Sequence, residues 1–312
     1  MARRALPVLG AMVLALGGVA GGAPAEGHPA RVSAAGSDAA RPPVVLIVLE
    51  NHDYTQIVGD GGLAPYINCA GPFTGSGLIC NGKLYTNYVG LFHPSLPNYL
   101  AMASGSNWGC TDDDCPLDSI TGSNLFRQLG TAGRTWGVFQ QSMNIDCEFV
   151  DDPNGLYIVH HNPALYYTDL VDTGACALFD LPFWRLDPGN LPNFSFVSPN
   201  LCDDMHDTSS VDCFQHAPGC SDVICVGDRW LARNVPPLIR AGAVVVVAFD
   251  EPNPSSPPTT RVMAVQLGPG VPGGSRDGRD YNHYSLLRGL ESYFGLPCLK
   301  GACGAAALPI NR

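Results

Sequence analysis

The chain has 312 residues, of which 14% are charged and 46% hydrophobic, and its formal net charge is −11 at pH 7. An acidic chain without a visible basic patch is repelled by nucleic-acid backbones, so this composition argues against a nucleic-acid-binding protein. The length from Pro43 onward suits one large α/β domain, and no linker-like shift in composition divides it.

The N-terminus predicts export. Met-Ala-Arg-Arg is followed by an apolar stretch and a small-x-small pattern that ends at Ala25, as is typical of a secretory signal peptide. We expect residues 1–25 to be a signal peptide cleaved near Ala25, residues 26–42 to be a disordered leader, and residues 43–312 to form one domain. An uncleaved membrane anchor is the alternative. Its apolar core would be short and interrupted by glycine, and no later stretch approaches ~20 apolar residues.

All twelve cysteines lie beyond the predicted signal peptide, which predicts disulfides because exported chains fold in an oxidising compartment. Eight of them lie in close pairs: Cys69 and Cys80, Cys110 and Cys115, Cys220 and Cys225, Cys298 and Cys303. Local pairing would close short loops. Zinc is the alternative, since three of these pairs have the C-x4-C spacing, but free thiolates rarely persist outside the cytosol.

Hydrophobic periodicity predicts an alternation of strands and helices. In chain order, strands are expected over residues 44–51, near 84–88, and over 135–140, 194–198, 243–249 and 261–267. Helices are expected from about Pro97, from a Ser123 cap to Ala132, over residues 227–241, and over residues 283–294 with Gly295 as the stop. Pro236-Pro237 should kink or break the third helix. The alternation predicts an α/β fold with a mixed or parallel sheet and helices on both faces.

Two of the apolar runs end in paired oxygen ligands. Residues 44–51 end in Glu50-Asn51, and residues 244–251 end in Asp250-Glu251. Active sites of open α/β sheets gather at the carboxyl ends of strands, so the four side chains converge if the two strands are neighbours. Their oxygen-only set favours Mg²⁺, Ca²⁺ or Mn²⁺ over zinc. For each residue alone, a turn or a helix cap is the alternative.

Ser95 is the candidate nucleophile. It lies at or just before the start of the helix expected from Pro97. The positive end of that helix, together with a metal ion, could stabilise a serine alkoxide. The same terminus offers N–H groups to an anion such as phosphate. Plain N-capping is the alternative.

Histidines on loops supply further candidate groups. His206 lies between Asp204 and Asp207 on the loop after the strand at 194–198, where imidazole can protonate a leaving oxygen or bind phosphate. His161 lies on another loop, and His283 opens the last helix. A structural role is the alternative for each.

Seven motifs occur in the order found in the phosphoesterase family, which joins bacterial acid phosphatases to phosphatidylcholine-type phospholipases C within the alkaline phosphatase superfamily. They are Glu50-Asn51, His93-Pro94-Ser95-x-Pro97-Asn98-Tyr99, His161-Asn162-Pro163, Pro199-Asn200 with Asp204-Met205-His206-Asp207, Gly227-Asp228-x-Trp230-Leu231, Asp250-Glu251 and His283-Tyr284-Ser285. The chain resembles this family over nearly all of its length after Pro43.

The resemblance implies an αβα sandwich with a central, mostly parallel sheet and one divalent metal ion. The metal ligands that it implies are Glu50, Asn51, Ser95, Asp250 and Glu251. It further implies that His206 is the general acid and that His161, Asp204 and His283 bind or orient the phosphoryl group. The extra ligands of a two-zinc site cannot be placed, so one ion is expected. A Cys-rich insertion at residues 211–226 departs from the family pattern and leaves the substrate open.

The expected protein is a secreted, monomeric, metal-dependent acid phosphatase that cleaves phosphate monoesters through a phosphoserine on Ser95. A phospholipase C-type phosphodiesterase is the alternative within the family, whose lipases are usually longer. A noncatalytic, calcium-stabilised secreted module is the alternative from another class, although such a module needs neither Ser95 nor His206. We expect a small-molecule or lipid phosphate ester as substrate, without nucleic-acid binding or stable membrane insertion.

Overall fold

The computed structural model describes residues 41–206 and 212–311. The predicted signal peptide, nearly all of the predicted leader and Asp207 lie outside them. Within the described residues one sheet contains nine strands: β1 (Val44–Leu49), β2 (Lys83–Val89), β3 (Trp136–Gln140), β4 (Asp180–Pro182), β5 (Phe194–Ser198), β6 (Val244–Phe249), β7 (Arg261–Leu267), β8 (Ser275–Asp277) and β9 (Tyr281–Asn282).

The sheet is mostly parallel, which confirms the predicted fold class. Its order is β4-β3-β5-β1-β6-β7-β2-β8, and β9 also pairs with β2. Only β7 runs antiparallel to its neighbours within the described residues. β1 and β6 are adjacent and parallel, in register from Val44 opposite Val244 to Leu49 opposite Phe249. Both strands are buried at every position, as expected for strands covered on both faces.

Helices cover both faces of the sheet. The described residues include eight α-helices: α1 (Tyr54–Ile57), α2 (Leu78–Asn81), α3 (Ser95–Ser104), α4 (Leu125–Thr131), α5 (Thr168–Val171), α6 (Ala175–Phe179), α7 (Val223–Arg240) and α8 (His283–Phe294). α3, α4 and α8 pack on one another, whereas α7 packs on β6. The connection from β2 to β3 through α3 and α4 runs along the sheet in the opposite direction to the connection from β5 to β6 through α7. Right-handed crossovers therefore place the two groups on opposite faces.

Helices α3 and α4 begin at residues other than those predicted. α3 begins at Ser95, so Ser95 is its first residue and Pro97 lies within the first turn. α4 is capped by Asn124, whose side chain accepts the Arg127 N–H at 2.8 Å, and not by Ser123. Asn124 is fully buried, whereas Ser123 is exposed, so tertiary packing selects the cap.

Of the predicted kink or break in α7, the break is wrong. The helix begins at Val223 and continues through Pro236 and Pro237 to Arg240. Each proline removes one N–H donor, but both lie near the end of the helix. Burial of Val235 and Leu238 on either side of the prolines keeps this part of the helix packed on the core.

The twelve cysteines form six disulfides. The four close pairs are bonded as expected, and two further bonds join Cys147 to Cys176 and Cys202 to Cys213. No free cysteine remains among them, so thiolate zinc sites are excluded. Disulfides in this number are typical of exported proteins. Across the described ranges, we find no helix of the length and apolar character that a membrane span requires.

Candidate active site

Glu50 and Asp250 lie where the adjacent strands β1 and β6 end. Each follows its strand directly, and both side chains are fully buried. Asn51 comes next, in a left-handed conformation with φ 59° that asparagine adopts more readily than most residues. Its N–H lies 3.4 Å from Asp250 Oδ1. The strand pairing thus brings together the residues that the sequence pattern placed at one point.

Ser95 reaches this point from β2, although β7 separates β2 from β6 in the sheet. The segment between β2 and α3 lies over the end of β6, and a Cβ at Gly90 would be 3.0 Å from the Asp250 carbonyl. Glycine therefore permits the close approach. The Ser95 hydroxyl donates to Glu50 Oε2 at 2.9 Å.

Glu251, the fourth expected ligand, contacts His93. Its Oε2 lies 2.7 Å from His93 Nδ1 and 3.4 Å from the Asn98 amide nitrogen. The other ring nitrogen of His93, Nε2, donates to the Ser256 carbonyl at 2.9 Å. His93 and Asn98 belong to the motif around Ser95, but the sequence alone assigned them no role.

His161 and Asp204 come from two other loops at the same edge of the sheet. The His161 carbonyl accepts hydrogen bonds from Gln140 at 3.2 Å and Ser198 at 2.9 Å, the last residues of β3 and β5. His161 Nε2 lies 3.4 Å from Glu50 Oε1, and Nδ1 lies 3.5 Å from Asp204 Oδ2. One ligand atom from each of Glu50, His161 and Asp204 lies within 4.8 Å of the others, a group that could hold a metal ion.

Tyr99 is a site residue that the sequence reasoning missed. Its hydroxyl donates to Glu50 Oε1, and its ring stacks on His161 with centroids 5.0 Å apart and planes 6° apart. Tyr99 lies four residues after Ser95 in α3, so helical spacing puts both on one face. The four-residue spacing from Ser95 is the sequence feature that could have indicated Tyr99 as a site residue.

His206 lies on the same loop as Asp204. Its backbone N–H donates to Asp204 Oδ1 at 2.7 Å, and its ring centroid is 6.1 Å from that of His161. The loop is held to β1 because the Glu50 N–H donates to the Asp204 carbonyl at 2.9 Å. His206 therefore borders the buried acidic group on the predicted side of the sheet.

His283 lies elsewhere than expected for a phosphate ligand. Its Nδ1 is 2.8 Å from the Tyr88 hydroxyl, and its Nε2 contacts the Asp250 carbonyl. Pairing of β9 with β2 turns the start of α8 inward, so His283 is fully buried. Both ring nitrogens contact the protein, so in this structure His283 contacts Tyr88 and Asp250 and presents no free ring nitrogen to a phosphoryl group.

The Gly227-Asp228 motif on α7 positions the site from outside it. A Cβ at Gly227 would be 2.3 Å from Met205 Cγ, so glycine lets α7 pack against the loop of Asp204 and His206. The buried Asp228 carboxylate accepts the backbone N–H groups of Tyr66 and Ile67 at 2.9 and 2.8 Å. The motif is structural.

Burial of several acids together raises their pKa values. Burial raises the pKa of Glu50 well above its ordinary range, and the charges of Asp250 and Asp204 raise it further. Burial likewise raises the pKa of Asp250 and of Asp204, and it raises that of Glu251 to about 8. Burial lowers the pKa of His161 well below its usual value. A bound cation would offset the cost of placing these carboxylates together.

Orphaned buried atoms fit such a cation. Four buried atoms of the described candidate site residues have no hydrogen-bond partner: Asn51 Oδ1, His161 Nε2, Asp204 Oδ2 and Asp250 Oδ2. The set contains a nitrogen donor besides the expected oxygens. It therefore suits a divalent cation and broadens the choice of ion beyond the hard cations that oxygen alone favours.

Comparison with known proteins identifies the family. Residues 76–297 match the model of the phosphoesterase family. The chain belongs to this family. It is 30% identical over 285 residues to a phosphate-repressible acid phosphatase of Penicillium chrysogenum, covering 85% of this chain and 62% of that protein. It is 31% identical over 258 residues to a phosphatidylinositol-3-phosphatase of Mycobacterium tuberculosis, covering 81% of this chain and 77% of that protein.

Solved structures share the phosphoesterase's fold. A protein of the alkaline phosphatase superfamily from Vibrio parahaemolyticus matches 82% of this chain and 67% of its own, with a TM-score of 0.51 at 12% identity. A lipoteichoic acid synthase from Listeria monocytogenes matches 82% and 72%, with a TM-score of 0.51 at 10% identity. At these identities the likeness shows the fold alone.

Proposed function

We propose that this phosphoesterase is a secreted, metal-dependent acid phosphatase that cleaves phosphate monoesters. The contact of the Ser95 hydroxyl with Glu50 at 2.9 Å, inside a buried acidic group at the start of a helix, carries the proposal. The relative from Penicillium chrysogenum is named an acid phosphatase, and the chain spans 62% of its length. The six disulfides support export of the single domain that we assign to residues 43–312, which we expect to be monomeric.

Ser95, Glu50 and His206 have separate roles in the proposed hydrolysis. Ser95 Oγ attacks phosphorus in line with the leaving oxygen and passes its proton to Glu50 Oε2, which accepts the Ser95 hydroxyl at 2.9 Å. His206 protonates the departing alcohol, and phosphoserine remains on Ser95. A water molecule, deprotonated by His206, then attacks the phosphoserine and releases phosphate, and Ser95 recovers its proton.

The metal ligands that we propose are Glu50, Asn51, Ser95, Asp250 and Glu251. A divalent cation there, Mg²⁺, Ca²⁺ or Mn²⁺, would neutralise charge on the nucleophile and on the phosphoryl oxygens. His161 and Asp204 lie close enough to Glu50 to bind either this ion or the phosphoryl group. We expect a small-molecule or lipid monoester as substrate.

Replacement of the nucleophile tests the proposal. Ser95→Ala should lower the hydrolysis of p-nitrophenyl phosphate by about 10³-fold or more, because no phosphoserine can form. Ser292→Ala, at an exposed position on α8, is the matched control and should keep full activity. Circular dichroism and the melting temperature should show both variants folded. Wild-type rates in Ser95→Ala would remove the proposed nucleophile.

Assays with two substrates separate the alternatives. Hydrolysis of phosphatidylcholine and of p-nitrophenyl phosphate, each measured from pH 4 to pH 9, distinguishes a phospholipase C from a monoesterase. Elemental analysis followed by chelation tests the metal. Activity that survives thorough chelation would contradict metal dependence, and failure to cleave any ester with added Mg²⁺, Ca²⁺ or Mn²⁺ would favour a noncatalytic module.

A further inference from the structure

The loop closed by the Cys110–Cys115 disulfide carries a carboxylate to the first turn of α3. The Leu96 N–H donates to Asp113 Oδ1 at 2.9 Å, and Leu96 directly follows Ser95. Pro94, the N-cap of α3, provides no side-chain cap. A residue from another segment therefore closes the helix terminus next to the proposed nucleophile.

Asp113 also faces charged groups of the surrounding elements. Its negative charge raises the pKa of Glu251, after burial as the larger cause. The negative charges of Asp113, Asp114 and Asp151 also act to raise the pKa values of His160 and Tyr166. His206 lies within electrostatic reach of His160. Asp113 is half-buried, and the N–H that it accepts belongs to the residue directly after Ser95.

A carboxylate in this position discriminates between anions by their protons. An ionised carboxylate accepts hydrogen bonds and donates none. A phosphate monoester loses its second proton near pH 6, with pKa₂ about 6. Below that pH the P–OH group of the monoanion can donate to a neighbouring carboxylate. Above it the dianion offers no donor and brings a second negative charge towards the first.

We propose that Asp113 is a specificity-determining residue that selects the protonated, monoanionic form of the phosphoryl group at Ser95. The inference rests on the proposed phosphatase function. The loop closed by the Cys110–Cys115 disulfide then has a role beyond capping α3, because selection against dianions favours turnover below the second pKa of the substrate. Asp113 alone accepts the Leu96 N–H among the described contacts, so it is the carboxylate that lies next to Ser95 in this loop.

Asp113→Asn separates charge from capping. The asparagine amide oxygen can still accept the Leu96 N–H, so the cap is kept while the charge is lost. Asp114→Asn is the matched control, since it removes the same charge from an exposed position in the same disulfide loop. A purely structural role for Asp113 would predict a lower melting temperature without a change in anion preference.

The test measures the binding of inorganic phosphate by calorimetry at pH 5 and pH 8, with the metal-loaded full chain. Relative to wild type, Asp113→Asn should bind phosphate about 10-fold more tightly at pH 8, where phosphate is a dianion, and no more tightly at pH 5. Asp114→Asn should stay within about 2-fold of wild type at both values because solvent screens its exposed charge. For Asp113→Asn, kcat/KM for p-nitrophenyl phosphate should fall less steeply between pH 5 and pH 8.

Three results would overturn the proposed selection by Asp113. Phosphate affinity could change equally at both pH values in Asp113→Asn, or Asp113→Asn and Asp114→Asn could behave alike. Wild type could also fail to bind phosphate at pH 5. Failure of the proposed phosphatase function has a different signature. Wild type would then bind phosphate with the stated dependence on Asp113 and hydrolyse no ester.

Discussion

At the scale of single residues, Tyr99 connects the proposed nucleophile to the proposed metal site. It shares a helix face with Ser95, donates to Glu50 and stacks on His161, and it is fully buried. Residues that hold metal ligands in place raise affinity because they reduce the number of conformations that a ligand must lose on binding. Tyr99 thus positions the site without being assigned to the reaction.

Tyr99→Phe removes one hydroxyl and keeps the ring on His161. We expect metal affinity to fall about 10-fold, since loss of such an outer contact costs 10- to 100-fold in other metal sites. Titration of chelated protein with Mn²⁺ measures this without reference to activity. Tyr85→Phe is the control: it removes the hydrogen bond from a buried hydroxyl to the Pro309 carbonyl, away from the site. Equal metal affinity in Tyr99→Phe and wild type would show that Glu50 does not depend on this contact.

At the scale of elements, helix α4 shows how packing selects among possible caps. Ser123 and Asn124 both have side chains suited to an N-cap. Asn124 is buried, accepts the Arg127 N–H at 2.8 Å and donates to Asp169 Oδ1 at 3.0 Å. The second bond ties α4 to α5, and Ser123 does not make it. Asn124 therefore caps the start of α4 and also links α4 to α5.

Asn124→Ala should lower the free energy of unfolding by about 2 kcal/mol, through the lost cap and the lost bond to Asp169. Ser123→Ala, next to it and exposed, should change it by less than about 0.5 kcal/mol. Urea unfolding at constant pH measures both. Equal losses in the two variants would contradict the assignment of the cap to Asn124.

At the scale of the whole molecule, buried acids couple stability to pH. Burial raises the pKa of Glu251 to about 8 and those of Asp180 and Glu291 to about 7. Each group is more easily protonated in the folded chain than in the unfolded chain. Its contribution is therefore full below the unfolded pKa, near 4, and is lost as the pH rises through the folded value.

We expect the chelated protein to melt at a lower temperature at pH 8 than at pH 5, and a divalent cation to restore more stability at pH 8, where its ligands are ionised. Thermal unfolding with and without Mg²⁺, Ca²⁺ or Mn²⁺ tests this. Asp180→Asn is informative because Asp180 accepts from Asn162 at 2.8 Å outside the ligand group. It should remove about 2 to 4 kcal/mol of the pH dependence with or without metal. A melting temperature that rises from pH 5 to pH 8 after chelation would contradict the coupling.

The sequence by itself determined six of the nine described strands, the fold class and the short disulfide loops. Strand periodicity and cysteine spacing are local properties, so β5 and β7 have the predicted bounds, and the four close cysteine pairs are bonded. It also placed oxygen ligands at two strand ends, because the carboxyl ends of parallel strands share one edge.

Only the tertiary structure decided which side chains meet. Strand order made β1 and β6 neighbours, and the close approach of Gly90 brought Ser95 across β7. Pairing of β9 with β2 turned His283 towards Asp250, and helix packing placed Tyr99 against His161. These contacts join segments that lie far apart in the chain, and a local pattern carries no information on the direction in which a side chain is buried.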